Sequence, residues 1–357
     1  MPFHRVAPSA ASGASAYPRG AWPSAHNSRV LVSAGLHELD ACLGGGLPLG
    51  SVLLLEEDAA TAHALTLLRL FAAEGVACGH ALALASADAP AAELLASLPL
   101  ERSSVPQTEV PRPPRPAAAA AAAPALKVAW RYGALVSGGG GGAPGRAPGK
   151  RHCHSFDLSQ RMTAAGAAPP SGRQQLLHDV LPGAAAYAGA IAALRAFAAA
   201  DGDVKHVGAA RRVVRIGVHA LGSPLWGAPD ESQAVAFVHA LRGLCASAGC
   251  VAIVTAPAHL QSPRCRARLR CLADAVISLD AFEGRAPSEG LGDHTGLLHV
   301  RKLPRHGALA AQVSGNSVFG FMATARRWAI SPLHPPPAGT EAGGGAKKAP
   351  AAADLEF

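Results

Sequence analysis

Residues 43–71 have the layout of a nucleotide phosphate-binding loop, but they lack the residues that do its chemistry. A glycine-rich turn leads into the apolar run Val52–Leu55, and an apolar-periodic stretch follows, which predicts strand, loop and helix. In a GxxxxGK[ST] loop, the glycines let backbone N–H groups converge on phosphates, the lysine neutralises the outer phosphates and the hydroxyl holds Mg²⁺. Here the loop carries Glu56, Glu57 and Asp58, and we expect these acids to repel a triphosphate.

The lead-in to this loop, residues 45–50 (GGLPLG), resembles the entry to the RecA/KaiC-like ATPase core. Alignment on that lead-in places Glu57 and Ala62 in the two glycine positions. His63 then stands in the lysine position and Ala64 in the hydroxyl position. Every residue that the motif requires is therefore replaced.

Two further positions that act on nucleotide in RecA-like enzymes are altered as well. The strand after the core helices usually ends in a metal-binding aspartate, whereas VVRIGVHALGSP has His219 there. The turn after the second strand usually carries several acids that activate water, whereas residues 86–90 contain one carboxylate, Asp88. We therefore expect no nucleotide hydrolysis by the chain's own site and structural roles for His63 and His219. The alternative is a RecA/KaiC-like ATPase that acts on nucleic acid through an unorthodox nucleotide site.

A basic stretch, SPRCRARLRC, follows a predicted strand and is a candidate RNA contact. Arg264 and Arg268 share one helix face, and Arg266 and Arg270 share another. Such a stripe binds phosphates without reading sequence. The alternatives are a solvated helix face and a salt-bridge surface between subunits.

Three more cations lie at the end of a late strand, in HVRKLPRHG. RecA-like subunits present trans-acting cations to a neighbour's nucleotide at such a place, which makes Arg301, Lys302 and Arg305 candidates. Ordinary strand-end charges that face solvent or a partner are the favoured alternative. Trp226, in SPLWG, could stack on a base, but a packed tryptophan is the favoured interpretation.

The elements that must position these residues alternate between strand and helix, which predicts a parallel α/β sheet. We expect a doubly wound, RecA-like, mostly parallel sheet within a single domain, residues 29–332, with low-complexity inserts at about 102–124 and 138–149. Residues 1–28 are predicted to be disordered and 333–357 to form a flexible tail. The predicted strands are 52–55, 81–85, 213–218, 251–255, 275–279, 297–300 and 318–322. One main helix is predicted to start near residue 65, and the others cover 91–98, 176–200 and 233–248.

Composition bounds the partners and cofactors. The 357 residues are 49% hydrophobic, which allows a sizeable core, and the net charge of +8 suits an anionic partner such as nucleic acid or an acidic protein. Seven cysteines form no CxxC pair, and His152-Cys153-His154 lacks a second ligand cluster, so we expect reduced thiols, no metal site and no cofactor.

No stretch has the pattern of a membrane span. Residues 1–37 contain no acid, which is typical of a transit peptide, although disorder is the favoured explanation.

Several segments together closely resemble the family of the fourth Elongator subunit. The likeness covers most of residues 29–335 apart from the two inserts, and the terminal DLEF fits the family's ending. The segments occur in the family's order: VLVSAGLHELDACLGGGLPLGSVLLLEED, KVAWRY, FDLSQRM, IGVHALGSPLWG, FVHALRGL, TAPAHL, ADAVISLDAFEG and GLLHVRKLPRHGAL.

This resemblance implies a RecA-like fold without a working phosphate loop. It implies assembly with two related RecA-like Elongator subunits into a heterohexameric ring that binds tRNA, together with the remaining Elongator subunits. Elongator modifies wobble uridines of certain tRNAs to carboxymethyl-type side chains, in the cytoplasm and nucleus. The family's radical and acetyl-transfer chemistry belongs to another subunit, so the resemblance implies a subunit without catalysis of its own. The alanine-, proline- and glycine-rich inserts depart from the family pattern.

Overall fold

The computed structural model describes most of the predicted domain. The predicted inserts and the C-terminal tail lie outside the described residues, apart from Arg102 and Leu333 at their edges, and so does KVAWRY. The described residues are 17–24, 29–102, 153–163, 175–181, 183, 185–202, 213–227, 231–282, 294–305 and 317–333.

The strands and helices of these residues alternate as the sequence predicts. The helices are α1 (His37–Cys42), α2 (His63–Cys78), α3 (Ala91–Ala96), α4 (Ala186–Gly202), α5 (Glu231–Ala248) and α6 (Pro263–Leu272). The strands are β1 (Ala21–Pro23), β2 (Val30–Val32), β3 (Leu47–Pro48), β4 (Val52–Glu57), β5 (Ala81–Ser86), β6 (Pro99–Glu101), β7 (Phe156–Arg161), β8 (Gln175–Asp179), β9 (Val214–His219), β10 (Val251–Pro257), β11 (Ala275–Ala281), β12 (Gly296–Lys302), β13 (Val318–Ala323) and β14 (Trp328–Pro332).

A nine-stranded sheet organises the domain. Its order is β14-β13-β12-β11-β4-β10-β9-β5-β8. The strands from β11 to β8 run parallel, whereas β12, β13 and β14 extend the sheet antiparallel. Strand β4, the first of the parallel set along the chain, lies between the last two, β10 and β11, as in the RecA-like arrangement. The predicted RecA-like, doubly wound fold is therefore confirmed.

The apolar sequence of strand β4 explains its central position in the sheet. Its apolar residues alternate between two cores, with Leu53 and Leu55 in one and Val52 and Leu54 in the other. The first core holds α2 and α3, and the second holds α4, α5 and α6. A continuous apolar run suits a strand that is covered by helices on both faces. No described helix is long and apolar enough to cross a membrane.

Two sequence predictions need correction, and some strands were missed. The predicted helix 176–200 is two elements, because residues 175–179 form an edge strand parallel to β5 and the helix begins at Ala186. Sheet pairing there outweighs helix propensity, and Pro182-Gly183 was the available signal for a break. Strand β1 lies inside the segment predicted to be disordered, where it pairs with β2. Strand β14 was not predicted at all and pairs with β13.

Candidate functional site: a degenerate phosphate loop beside a basic helix

The degenerate loop lies at the place where doubly wound sheets bind ligands. It follows the carboxyl end of β4, at the point where the strand order reverses between β10 and β11. Ala62 directly precedes α2 and provides no side-chain cap, and Ala64 is buried. The scaffold of a phosphate site is thus present, and only the loop residues differ from it.

The carboxylate of Asp58 occupies the backbone donors of the loop. It accepts N–H hydrogen bonds from Ala60 (3.2 Å) and Thr61 (2.7 Å), and the Thr61 hydroxyl lies 2.8 Å from it. The N–H of Ala281, at the end of β11, also donates to it at 3.2 Å. In a working phosphate loop, such N–H groups converge on the phosphate oxygens. Here the loop supplies its own anion, so these donors are not available to a nucleotide.

Glu56 has a structural role that the sequence did not predict. Its side chain is buried and accepts two hydrogen bonds of 2.6 Å from the guanidinium of Arg270. The Ser278 hydroxyl donates a third bond at 2.5 Å. The expectation that Glu56 repels phosphate is therefore wrong, since Arg270 neutralises it. The salt bridge instead ties β4 to helix α6.

Glu57 keeps the repulsive character that was expected. Burial raises the pKa of its carboxyl, a hydrogen bond from Thr255 lowers it, and the negative charges of Asp88 and Asp58 raise it further. Three carboxylates therefore act on one another where a triphosphate would add more negative charge. At surface-like dielectric, each like-charge contact costs about 1–4 kcal/mol.

The two histidines in former catalytic positions are packed into the fold. The ring of His63 makes an edge contact with Phe321, with ring centroids 5.0 Å apart. His219 is buried, and one of its ring nitrogens lies 3.2 Å from the Ser86 hydroxyl. Burial lowers the pKa of His219, which favours the neutral ring. Both placements agree with the structural roles that we expected.

Trp226 is a core residue and cannot stack on a base. It is fully buried, and its ring centroid lies 5.3 Å from that of Tyr187 and 5.7 Å from that of Phe237. Its indole N–H donates to the carbonyl oxygen of His219 at 3.1 Å. The favoured interpretation of this tryptophan is therefore confirmed.

Helix α6 carries the predicted basic stripe, and three of its four arginines are available to a ligand. Ser262 caps the helix by accepting the N–H of Cys265 at 3.1 Å. Arg264 and Arg268 are exposed and Arg266 is half-buried. Arg270, on the Arg266 face, is committed to Glu56 and does not belong to the candidate RNA surface.

The predicted trans-acting cations are likewise not equivalent. The Lys302 ammonium donates to the carbonyl oxygens of Arg270 (3.3 Å), Cys271 (3.0 Å) and Ala273 (2.5 Å), so it caps the end of α6. Arg301 is exposed and donates to the Ser278 hydroxyl at 3.2 Å. Arg305 is exposed. A trans-acting role stays a prediction for Arg301 and Arg305, whereas Lys302 is committed to the helix end.

Sequence reasoning missed a buried polar network around Arg215. This arginine is fully buried in β9 and donates to a ring nitrogen of His80 (2.9 Å) and to the carbonyl oxygen of Ser33 (2.8 Å). Gly75 of α2 leaves room for it, since a Cβ there would lie 2.7 Å from the arginine Cδ. An arginine inside the apolar run VVRIGV was the signal that could have revealed the network.

The same region brings together potential metal ligands that the sequence left apart. Ligand atoms of Glu74, Cys78 and His154 lie within 4.8 Å of one another. The expectation that His152-Cys153-His154 lacks a second cluster is therefore wrong in geometry. Burial, and then the charge of Glu74, raises the pKa of Cys78 to about 12, and its protonated thiol donates to Glu74 at 3.2 Å. In this state the group is a hydrogen-bonded network, because a metal needs the thiolate.

Fold and loop together define the class of the protein. It is a RecA-like α/β protein in which the Asp58 carboxylate accepts hydrogen bonds from the loop N–H groups. No glycine, lysine or hydroxyl of the phosphate motif remains in its loop.

Comparison with known proteins then gives the family. The PAXNEB protein family matches residues 14–357. Elongator complex protein 4 of Danio rerio is 32% identical over 89% of this chain and 84% of its own length. The Homo sapiens protein of that name is 31% identical over 89% of this chain and 80% of its own length. The Schizosaccharomyces pombe protein is 26% identical over 90% of this chain and 89% of its own length. The chain therefore belongs to the PAXNEB family, the family of Elongator complex protein 4.

A solved structure is also similar to this chain. It is a KaiC-like protein of Pyrococcus horikoshii OT3, which is 14% identical, with a TM-score of 0.46 over 85% of this chain and all of that one.

Proposed function

We propose that this chain is a non-catalytic subunit of Elongator that helps a RecA-like ring to bind tRNA for wobble-uridine modification. In this proposal it alternates with two related RecA-like subunits in a heterohexamer and acts in the cytoplasm and nucleus with the remaining Elongator subunits. The observation that carries the proposal is the family membership over nearly the whole chain. The loop also supports the proposal, because Asp58 occupies its N–H donors. The chain would then have a structural role in the ring and no hydrolytic site of its own.

The chemistry of the loop supports the absence of catalysis. Asp58 occupies the N–H donors, Glu57 places a further carboxylate beside it, and His63 replaces the lysine. A nucleotide would have to displace an internal carboxylate and add its own negative charge next to two acids. Any ATP hydrolysis in the ring would then belong to another subunit.

The candidate tRNA surface is the exposed part of α6. Arg264 and Arg268 share one face of this helix and are exposed, and Arg266 is half-buried on the neighbouring face. Phosphate contacts by arginine release counterions, so tRNA affinity should fall steeply with salt. Because this surface offers guanidinium groups, which bind phosphates without reading sequence, we expect recognition of the tRNA backbone.

The experiment that tests ring membership is co-expression with the two related subunits followed by native mass measurement. The expected result is a six-subunit assembly that contains two copies of this chain. Isothermal titration of the isolated full chain with ATP-Mg²⁺ should show no saturable binding. Tight binding of ATP by the isolated chain would favour the alternative, a self-sufficient ATPase, and would refute the non-catalytic role.

The tRNA surface is tested separately in the assembled ring. Arg264→Ala, Arg266→Ala and Arg268→Ala together should weaken tRNA binding and reduce the slope of log affinity against log salt by up to about 3 per chain copy. Arg195→Ala, on the exposed side of α4, is the matched control for loss of positive charge. Unchanged affinity and slope in the triple variant would leave assembly as the chain's role and remove the RNA contact from the proposal.

A further inference from the structure

A cavity lies against helix α2. It has a volume of about 300 Å³, and α2 contributes His63, Thr66 and Arg69 to its wall. Leu158 of β7 and Trp328 of β14 form other parts of the wall. The acids of the degenerate loop do not line it. The β13–β14 hairpin thus forms one side of a cavity that borders the degenerate loop at His63.

Two buried donors in the wall have no acceptor. Trp328 is only 2% exposed, and its indole Nε1 has no hydrogen-bond partner within the described part of the chain. The Nε of Arg69 is buried and likewise without a partner among the described residues. Indole and guanidinium N–H groups donate and never accept. Buried donors of this kind are normally satisfied, so what this site lacks is an acceptor.

The neighbouring hydroxyl groups do not supply that acceptor. The Thr66 hydroxyl donates to the carbonyl oxygen of Ala62 at 3.3 Å, and the Ser97 hydroxyl donates to that of Leu94 at 2.9 Å. Both hydroxyl protons are therefore used within their own helices, and neither hydroxyl oxygen accepts from the unpaired N–H groups.

The charge around Arg69 also favours an anion. Burial lowers the pKa of Arg69, and the positive charge of Arg161 lowers it further. No carboxylate of the described residues forms a salt bridge with Arg69. A negative group in the cavity would relieve the repulsion between the two arginines and accept from both unpaired donors.

We propose that this cavity binds a small molecule through an oxyanion, a carboxylate or phosphate group, held by Arg69 and the indole N–H of Trp328. The volume equals that of about ten water molecules at about 30 Å³ each, which is more than a bare ion fills. The apolar side chain of Leu158 and the Trp328 ring would enclose a short hydrocarbon portion. The proposal does not depend on ring membership or tRNA binding.

The indole N–H resonances of the ¹⁵N-labelled full chain report on this site directly. The chain has four tryptophans, and Trp328→Phe identifies one resonance while it keeps an aromatic ring against Phe321. Inorganic phosphate and acetate are titrated separately at constant ionic strength against sodium chloride. The Trp328 signal should shift saturably with at least one of them. The Trp226 signal should not move, because its N–H already donates within the core.

Arg69→Gln removes the charge, and we expect it to weaken the shift-derived affinity at least tenfold. Arg195→Gln makes the same change on an exposed helix surface and should leave that affinity unchanged. Saturation by phosphate alone or by acetate alone identifies the oxyanion. The proposal is overturned if neither anion shifts the wild-type Trp328 signal, if Trp226 shifts in parallel, or if a folded Arg69→Gln chain binds as well as the wild type.

Discussion

Replacement of Arg270 by methionine should destabilise the fold, because it leaves the carboxylate of Glu56 buried without its counterion. Removal of one partner from a buried salt bridge costs about 3–5 kcal/mol. The side chain of Arg270 is 37% exposed, so solvent screens part of the pair, and the Ser278 hydroxyl remains bonded to the carboxylate. We therefore expect a loss of about 2 kcal/mol in the free energy of unfolding. Glu56→Gln should cost less, about 1 kcal/mol, since Arg270 can turn to water.

The assay is urea unfolding of the full chain, analysed with a common slope for all variants. Arg268→Met is the matched control, because this arginine lies on the same helix but is exposed, and it should change stability by less than about 0.5 kcal/mol. The double variant Arg270→Met with Glu56→Gln should lose less than the sum of the two single changes. Equal stability of Arg270→Met and Arg268→Met would refute the structural role of the salt bridge and return Arg270 to the candidate RNA surface.

Two further predictions concern buried polar groups. Burial raises the pKa of Asp40 to about 7. Above about pH 4 the folded chain therefore keeps a proton on Asp40 that the unfolded chain has released. The stability contributed by this group is lost as pH rises from 4 to 7. Asp40→Asn should therefore gain on the order of 2 kcal/mol relative to wild type between pH 5 and 7.5 in parallel urea titrations, and a pH-independent difference would contradict this assignment. Lys302→Met should cost about 1 kcal/mol by removing the cap from α6, visible as faster amide exchange in its last turn, whereas unchanged exchange would exclude the cap.

Apolar patterning was sufficient to predict the central sheet. The run Val52–Leu55 contains four apolar residues in succession, and a strand covered on both faces buries all four. The edge elements were harder, because Leu176 and Leu177 are followed by an alanine-rich helix and share its apolar character. Their pairing with β5 is a long-range contact, and local composition does not report it.

The loss of the phosphate motif was also evident from residue types alone. What the sequence could not provide was the partner of each charge. Glu56 and Arg270 are 214 positions apart, and they meet because β4 and α6 lie next to each other in the fold. The arginine stripe therefore looked uniform, although one member is neutralised and three are available. The meeting of Arg69 and Trp328 at one cavity depends equally on contacts between distant segments.

The acids of the loop have become part of the fold, and this explains why the loop is not simply a damaged active site. Glu56 joins β4 to α6, and Asp58 binds the loop to the end of β11. Restoring glycine at 57 and 62, lysine at 63 and threonine at 64 would therefore leave the N–H donors of Ala60 and Thr61 occupied by a carboxylate. Removal of Asp58 would free these donors, at the cost of its bond to β11. The same Asp58 carboxylate that occupies these donors also joins the loop to β11.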